Sequence, residues 1–132
     1  MQETGPYTKK VIELFKKPHN YGRIKNPDGV GKVGNPVCGD VMWLYIKVGK
    51  KNGNDFIKDI KFETFGCVAA ISTSSIITDI VKGETIKEAL KIKKDDIVKS
   101  LGGLPKIKLH CSVLAVDALQ AAISDYFSKN KS

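Results

Sequence analysis

The chain has no closely spaced pair of cysteines. Its three, Cys38, Cys67 and Cys111, stand far apart and are odd in number. That excludes an ordinary disulfide framework and the tight C-x₂-C repeats that hold a permanent ferredoxin cluster. Histidine is scarce, with only His19 and His110, and the H-x-E and P-C-x-x-C pieces of zinc deaminases are missing. No apolar run is long enough to cross a bilayer, and no N-terminal stretch has the charged start, apolar middle and cleavage site of a secretory leader. The expectation is a cytoplasmic protein with no membrane partner. Aromatic residues make up 8% of the chain, and no base-stacking motif can be read. The net charge of +8 is spread over lysines mixed with acids, so it reads as a solvated basic surface or one that docks an acidic protein, not as a nucleic-acid footprint.

What is present suits one domain, residues 1–132, large enough to bury its own core. Residues 8–17 place Val11, Leu14 and Phe15 at helical spacing until Pro18 stops the run. From His19 to Gly39 glycine, proline and asparagine are frequent, which predicts an ordered loop with one short strand. Val41 to Val48, β-branched, aromatic and nearly all apolar, and Phe56 to Thr64 read as strands around Asn52-Gly53, a hairpin signal. In the second strand Ile60 and Phe62 face a core while Asp59, Lys61 and Glu63 face water. Ala69 to Val81, small and aliphatic, predicts a buried helix. Thr85 to Glu88 has capping-box spacing, Asp95 and Asp96 open a further turn ended by Gly102-Gly103, and Ser112 to Phe127 carries a helical apolar stripe. The class is α+β: a small antiparallel sheet of about three strands, covered by an N-terminal helix and several C-terminal helices.

Each thiol falls at a junction on this sketch. Cys38 lies in the Gly-Pro loop before the first clear strand, Cys67 joins the second strand to a helix, and Cys111 opens the last helix. Unsatisfied N–H groups and the dipole at a helix start favour thiolate, the form that binds metal or attacks sulfur. A lone cysteine is more often a small buried hydrophobe; three at element ends are harder to set aside. Gly39 and Gly66 permit close backbone approach to a bulky inorganic ligand. His110 adjoins Cys111 and Asp40 follows Cys38 by two, a mixed donor set suited to zinc or iron, with more donors than one tetrahedral ion uses. His19, after Pro18, reads as a surface or turn residue. A zinc hydrolase or structural zinc domain on the same site is the alternative. A cysteine nucleophile with His110 as its base is disfavoured, because adjacent side chains diverge.

Three ordered segments resemble the signatures of IscU-type iron–sulfur scaffolds and the related N-terminal domain of NifU: Gly34-Asn35-Pro36-Val37-Cys38-Gly39-Asp40, Phe65-Gly66-Cys67-Val68-Ala69-Ala70-Ile71-Ser72, and Lys108 through Ala118 around His110-Cys111. The likeness is collinear from Lys17-Pro18-His19-Asn20-Tyr21-Gly22 onward. It implies a non-enzymatic scaffold that accepts sulfur from a cysteine desulfurase, binds Fe²⁺, builds a transient 2Fe-2S cluster and passes it to apo-proteins. Cys38, Cys67 and Cys111 would be the cluster cysteines, Asp40 and His110 exchangeable ligands, and Cys111 the favoured persulfide acceptor. The resemblance also implies Zn²⁺ at the site when no cluster is present, and it leaves monomer and homodimer open. His110, with no inserted stretch before it, is similar to the IscU branch and unlike the zinc-dependent SufU branch. Leu104-Pro105-Lys106-Ile107-Lys108 departs from the Leu-Pro-Pro-Val-Lys motif read by a heat-shock chaperone, so chaperone-assisted release does not carry over. Val68 and Ala69 stand where the family commonly has Gly-Ser.

Overall fold

In the computed structural model the described residues are 7–35, 40–65, 68–106 and 109–129, with the side chains of Asn35, Asp40 and His110 outside that description. The alternating central segment forms a hairpin. Strands Asp40–Lys51 and Asn54–Thr64, here β2 and β3, pair antiparallel through Asn52 and Gly53. Both turn residues have positive φ, 52° and 81°, the backbone that a two-residue hairpin matched to strand twist demands. A register shift at Lys47/Val48 changes the parity of β3. Ile57 and Ile60, three apart, are therefore both buried along with Phe62 and Thr64. Across from them, β2 contributes Met42, Leu44 and Ile46 to the core.

A third strand, β1 (Gly29–Asn35), pairs antiparallel with β2, giving the order β1-β2-β3. The loop expected over 19–39 thus contains a seven-residue strand, although glycine ordinarily weakens strands. The long C-terminal helix α5 (His110–Lys129) explains it. A Cβ on Gly31 would collide with the carbonyl oxygen of Ala118, and one on Gly29 with that of Ala122. The glycines let the helix lie directly on the strand. Asp125 of α5 then accepts a 2.8 Å hydrogen bond from the backbone N–H of Val30.

Helix α1 (Lys9–Lys16) buries Val11 and Leu14, while Phe15, expected at the same spacing, is 40% exposed. It packs on α2 (Val68–Val81), a helix buried along most of its length despite its hydroxyls. Those hydroxyls are matched: Ser72 donates to the carbonyl of Val11 at 2.6 Å, Ser74 to that of Ala70 at 2.7 Å and Thr78 to that of Ser75 at 2.6 Å. Buried polar groups are tolerated only on that condition. Short helices α3 (Ile86–Ala89) and α4 (Lys94–Ser100) follow. Thr85 caps α3 by accepting from the Glu88 N–H at 3.1 Å. The Glu88 carboxylate meets Lys91. The outer edge of β3 is covered at both ends. Phe62 exchanges backbone bonds with Asn20 and Gly22, and Ile57 with Gly83 and Glu84, which blunts an edge that would otherwise recruit another strand. Among the described residues no helix is long and apolar enough to cross a membrane.

Candidate functional site

Cys38 and Cys67 lie outside the described residues, so the site is built here from their flanks. Asp40 opens β2, and its Cα faces that of Asn35 at the end of β1; Cys38 belongs to the intervening stretch of sequence. The start of β2 is tied to the end of β3, because Thr64 Oγ1 donates to the Val41 carbonyl at 2.7 Å and the Phe65 N–H to the same oxygen at 3.3 Å. The Ser74 hydroxyl of α2, whose proton goes to the Ala70 carbonyl, also sits 3.1 Å from Met42 Sδ, which sets the same end of β2 against that helix. Val68, the residue after Cys67, begins α2.

The start of α2 meets the start of α5. Cys111 lies in the first turn of α5, which opens at His110, two residues earlier than the stripe suggested. Its side chain is 0% exposed and clusters with Ala69 and Ala70 of α2. The Thr73 hydroxyl reaches both the Ala70 carbonyl at 3.2 Å and the Cys111 carbonyl at 3.4 Å. Small residues at positions 69 and 70 allow this approach, and they are part of the segment the sequence singled out. The flanks of all five candidates, Cys38, Asp40, Cys67, His110 and Cys111, are therefore linked at one end of the sheet. Only Cys111 has a described side chain. Among the described residues no group of three or more His, Cys, Asp or Glu forms a metal site, and four of the five candidate side chains fall outside them.

His19 stands apart from this end. Its Nδ1 meets Asp79 Oδ2 at 2.6 Å, half exposed, while Asn20 Nδ2 donates to Thr78 Oγ1 at 2.9 Å. It ties a loop to α2, the structural use expected of it.

The sheet face away from the helices carries features that sequence reading missed. Phe65, one residue before Gly66-Cys67, is 83% exposed and meets Trp43 edge-on with ring centroids 5.6 Å apart. Lys32 Nζ sits 5.5 Å from the Trp43 ring centre. Beside them Glu63 accepts from Tyr45 at 2.7 Å and from Arg23 at 2.8 Å. Burial first and Glu63 second push the Tyr45 hydroxyl up to about 12. The Tyr45 hydrogen bond, followed by that of Arg23, holds Glu63 below the usual carboxylate range. The available signal was the side-chain period of two that puts Trp43 and Tyr45 on one face of β2; nothing local marked Glu63 and Phe65 as their neighbours.

A three-stranded antiparallel sheet covered by helices recurs among solved structures. The crystal structure of a protein assigned as an iron–sulfur cluster assembly scaffold for the SUF system of Fervidobacterium islandicum AW-1 superposes with a TM-score of 0.69 at 22% identity, covering 89% of this chain and 96% of that one. That likeness shows the fold. The chain belongs to the NifU-like N-terminal domain family, whose model matches residues 6–132. Among curated relatives, "Iron-sulfur cluster assembly scaffold protein IscU 1" of Archaeoglobus fulgidus is 60% identical over 124 residues, 94% of this chain and 78% of the relative. The protein named IscU in Aquifex aeolicus is 46% identical over 123 residues, 93% of this chain and 77% of the relative.

Proposed function

We propose that this chain is an iron–sulfur cluster assembly scaffold of the cytoplasm that builds a 2Fe-2S cluster on Cys38, Cys67 and Cys111, with Asp40 and His110 as exchangeable ligands. The observation that carries the reading is the linkage of the β2, α2 and α5 starts at one end of the fold, with Cys111 in the first turn of α5.

Sulfur arrives as the persulfide of a cysteine desulfurase. The Cys111 thiolate attacks the terminal sulfur, the desulfurase S–S bond breaks, and the desulfurase leaves as a thiolate while Cys111 carries the persulfide. No net oxidation occurs in that step. Reducing each sulfane sulfur to sulfide takes two electrons. For a 2Fe-2S centre, the two ferrous ions supply one each in becoming ferric, and an external one-electron donor supplies the other two. Thiolates suit the resulting soft centre, whereas the Asp40 carboxylate is a hard ligand and a poor lasting partner for it. Asp40 thereby keeps the cluster transferable to apo-proteins, and Zn²⁺ competes for the same thiolates when no cluster is present. The chain's part is to position and release, without turning over a substrate of its own.

The test is anaerobic incubation with Fe²⁺, L-cysteine and a desulfurase, followed by visible spectra and iron and sulfide analysis. Equal iron and sulfide with a sulfide-to-iron charge-transfer band is the expected result. Intact thiols that gather no sulfide would defeat the reading. Asp40→Ala should then slow cluster loss to an apo-acceptor; decay at the parent's rate would remove Asp40 from that role.

A further inference from the structure

A sulfur acceptor must be reachable, and Cys111 is not: its side chain is 0% exposed. Attack on a persulfide requires Sγ to approach the incoming sulfur along the S–S axis, which a wholly covered atom cannot do. Beyond Ala69 and Ala70, the Cys111 cluster is packed by two partly buried side chains, Tyr7 and Leu104. They come from different parts of the chain, one just ahead of α1 and one just after α4.

One hydroxyl joins those two parts. Thr8 is the N-cap of α1, accepting from the Val11 N–H at 3.2 Å. The same Oγ1 donates to the backbone carbonyl of Leu101, at the end of α4, at 2.5 Å. Leu101 is 0% exposed, so the acceptor is anchored. The rest of α1 is anchored independently, by buried Val11 and Leu14 and by the bond from Ser72 to the Val11 carbonyl at 2.6 Å. Tyr7 and Leu104 also rest against the main core, so releasing Thr8 loosens the chain ahead of α1 by one tie without detaching the helix. On the other side, Gly102 and Gly103, with φ of 80° and 117°, precede Leu104 and supply a joint that few other residues could adopt.

Resting on the assembly reading above, we propose that Tyr7 and Leu104 form a cover over Cys111, latched by the Thr8 hydroxyl on Leu101, and that Tyr7 is the positioning residue that sets when Cys111 can take sulfur. Thiol exchange at Cys111 then waits on a local opening at the N-terminal edge of the fold, and a desulfurase speeds transfer by displacing Tyr7 as it docks.

The experiment uses the full, metal-free chain. Iodoacetamide labelling of each cysteine is followed by peptide mass spectrometry, with far-UV circular dichroism to verify the fold, and Cys111 persulfidation by a desulfurase is timed in parallel. In Tyr7→Ala, Cys111 should label about tenfold faster, the scale set by losing one packed aromatic contact from a local opening, and should accept sulfur faster. Thr8→Val, which loses the latch, should behave likewise, and Thr8→Ser, which keeps the hydroxyl, should match the parent. If Tyr7→Ala loses its helix signal, the Thr8 pair decides. Folded variants that label Cys111 at the parent's rate overturn the cover. Faster labelling with unchanged persulfidation overturns its role in sulfur entry. A parent chain that takes no sulfur from any desulfurase defeats the assembly reading instead, and the labelling arm still judges the cover.

Discussion

The two halves of α5 are held in opposite ways. Toward its C-terminus, Ala118, Ala122 and Tyr126 lie against Gly31 and Gly29 with no room for a methyl group between helix and strand. Asp125 accepts from the Val30 N–H, and the Tyr126 hydroxyl donates to Asp55 at 2.9 Å while Lys50 meets the other Asp55 oxygen at 2.7 Å. At the N-terminal end, Cys111 clusters with Ala69 and Ala70, its carbonyl meets a threonine hydroxyl shared with that of Ala70, and Tyr7 and Leu104 pack against the cluster. One end is bolted to the sheet by backbone and charge. The other is closed by small apolar contacts and hydroxyl hydrogen bonds. A helix so divided can present a reactive group from its loose end while the sheet holds its direction.

The largest effect expected from breaking this contrast is at Gly31. In Gly31→Val the new side chain must displace backbone of α5, not the tip of a flexible side chain, and overpacking of that kind should cost about 3 kcal/mol or more. Urea unfolding at neutral pH measures it; a loss under about 0.5 kcal/mol would mean the close approach is no bolt. Asp125→Ala comes next. It strands a strand N–H beneath a helix, which should cost about 2 kcal/mol.

Acid should loosen the same half. The Val30 N–H first, and Lys129 second, hold the Asp125 carboxyl below the usual carboxylate range. Lys50, followed by Tyr126, does the same for Asp55. A carboxyl whose folded pKa is depressed contributes stability that is fully present above its unfolded value, about 3.9 for aspartate, and is lost as pH falls through the depressed one. Urea midpoints should therefore drop from neutral pH into that acid range, and Asp125→Asn should flatten part of the fall. An unchanged slope in Asp125→Asn would place the acid response elsewhere.

What the sequence made legible follows the range of the forces involved. The hairpin was plain because alternation and Asn52-Gly53 are local, and α2 and α5 were plain because a buried or striped helix announces itself within its own residues. Strand β1 was legible only as one short strand within a loop, without its bounds, because the reason for Gly29 and Gly31 lies in carbonyls of Ala118 and Ala122, far along the chain. Phe15 misled because helical spacing does not say how wide the buried stripe is. At the site, the place of Cys111 at the opening of the last helix could be read from the helix signal. The burial of Cys111 could not, since it lies in a cluster with Ala69 and Ala70 against which Tyr7 and Leu104 pack, and no spacing rule connects those residues to residue 111. Thr8 was read only as the start of a helical run, and its cap on α1 emerges from the structure. That the same hydroxyl also grips Leu101 belongs to tertiary structure alone.

The smallest stability effect, and the one that separates the two halves of α5 most sharply, is expected at the latch. Thr8→Val removes an N-cap and one hydrogen bond to an anchored carbonyl, a loss of about 1 kcal/mol, less than either change at the bolted end. Accessibility should run in the reverse order. Asp125→Ala, though it weakens the fold more, should leave Cys111 labelling near the parent's rate under native conditions, because its bond closes the far half of the helix. Thr8→Val should expose the thiol while the urea midpoint falls less than it does in Asp125→Ala. Measured on the same samples, the two quantities must rank the variants oppositely. If labelling simply follows global stability, Cys111 opens only when the whole chain unfolds, and the loose end of α5 is as firmly bound as the other.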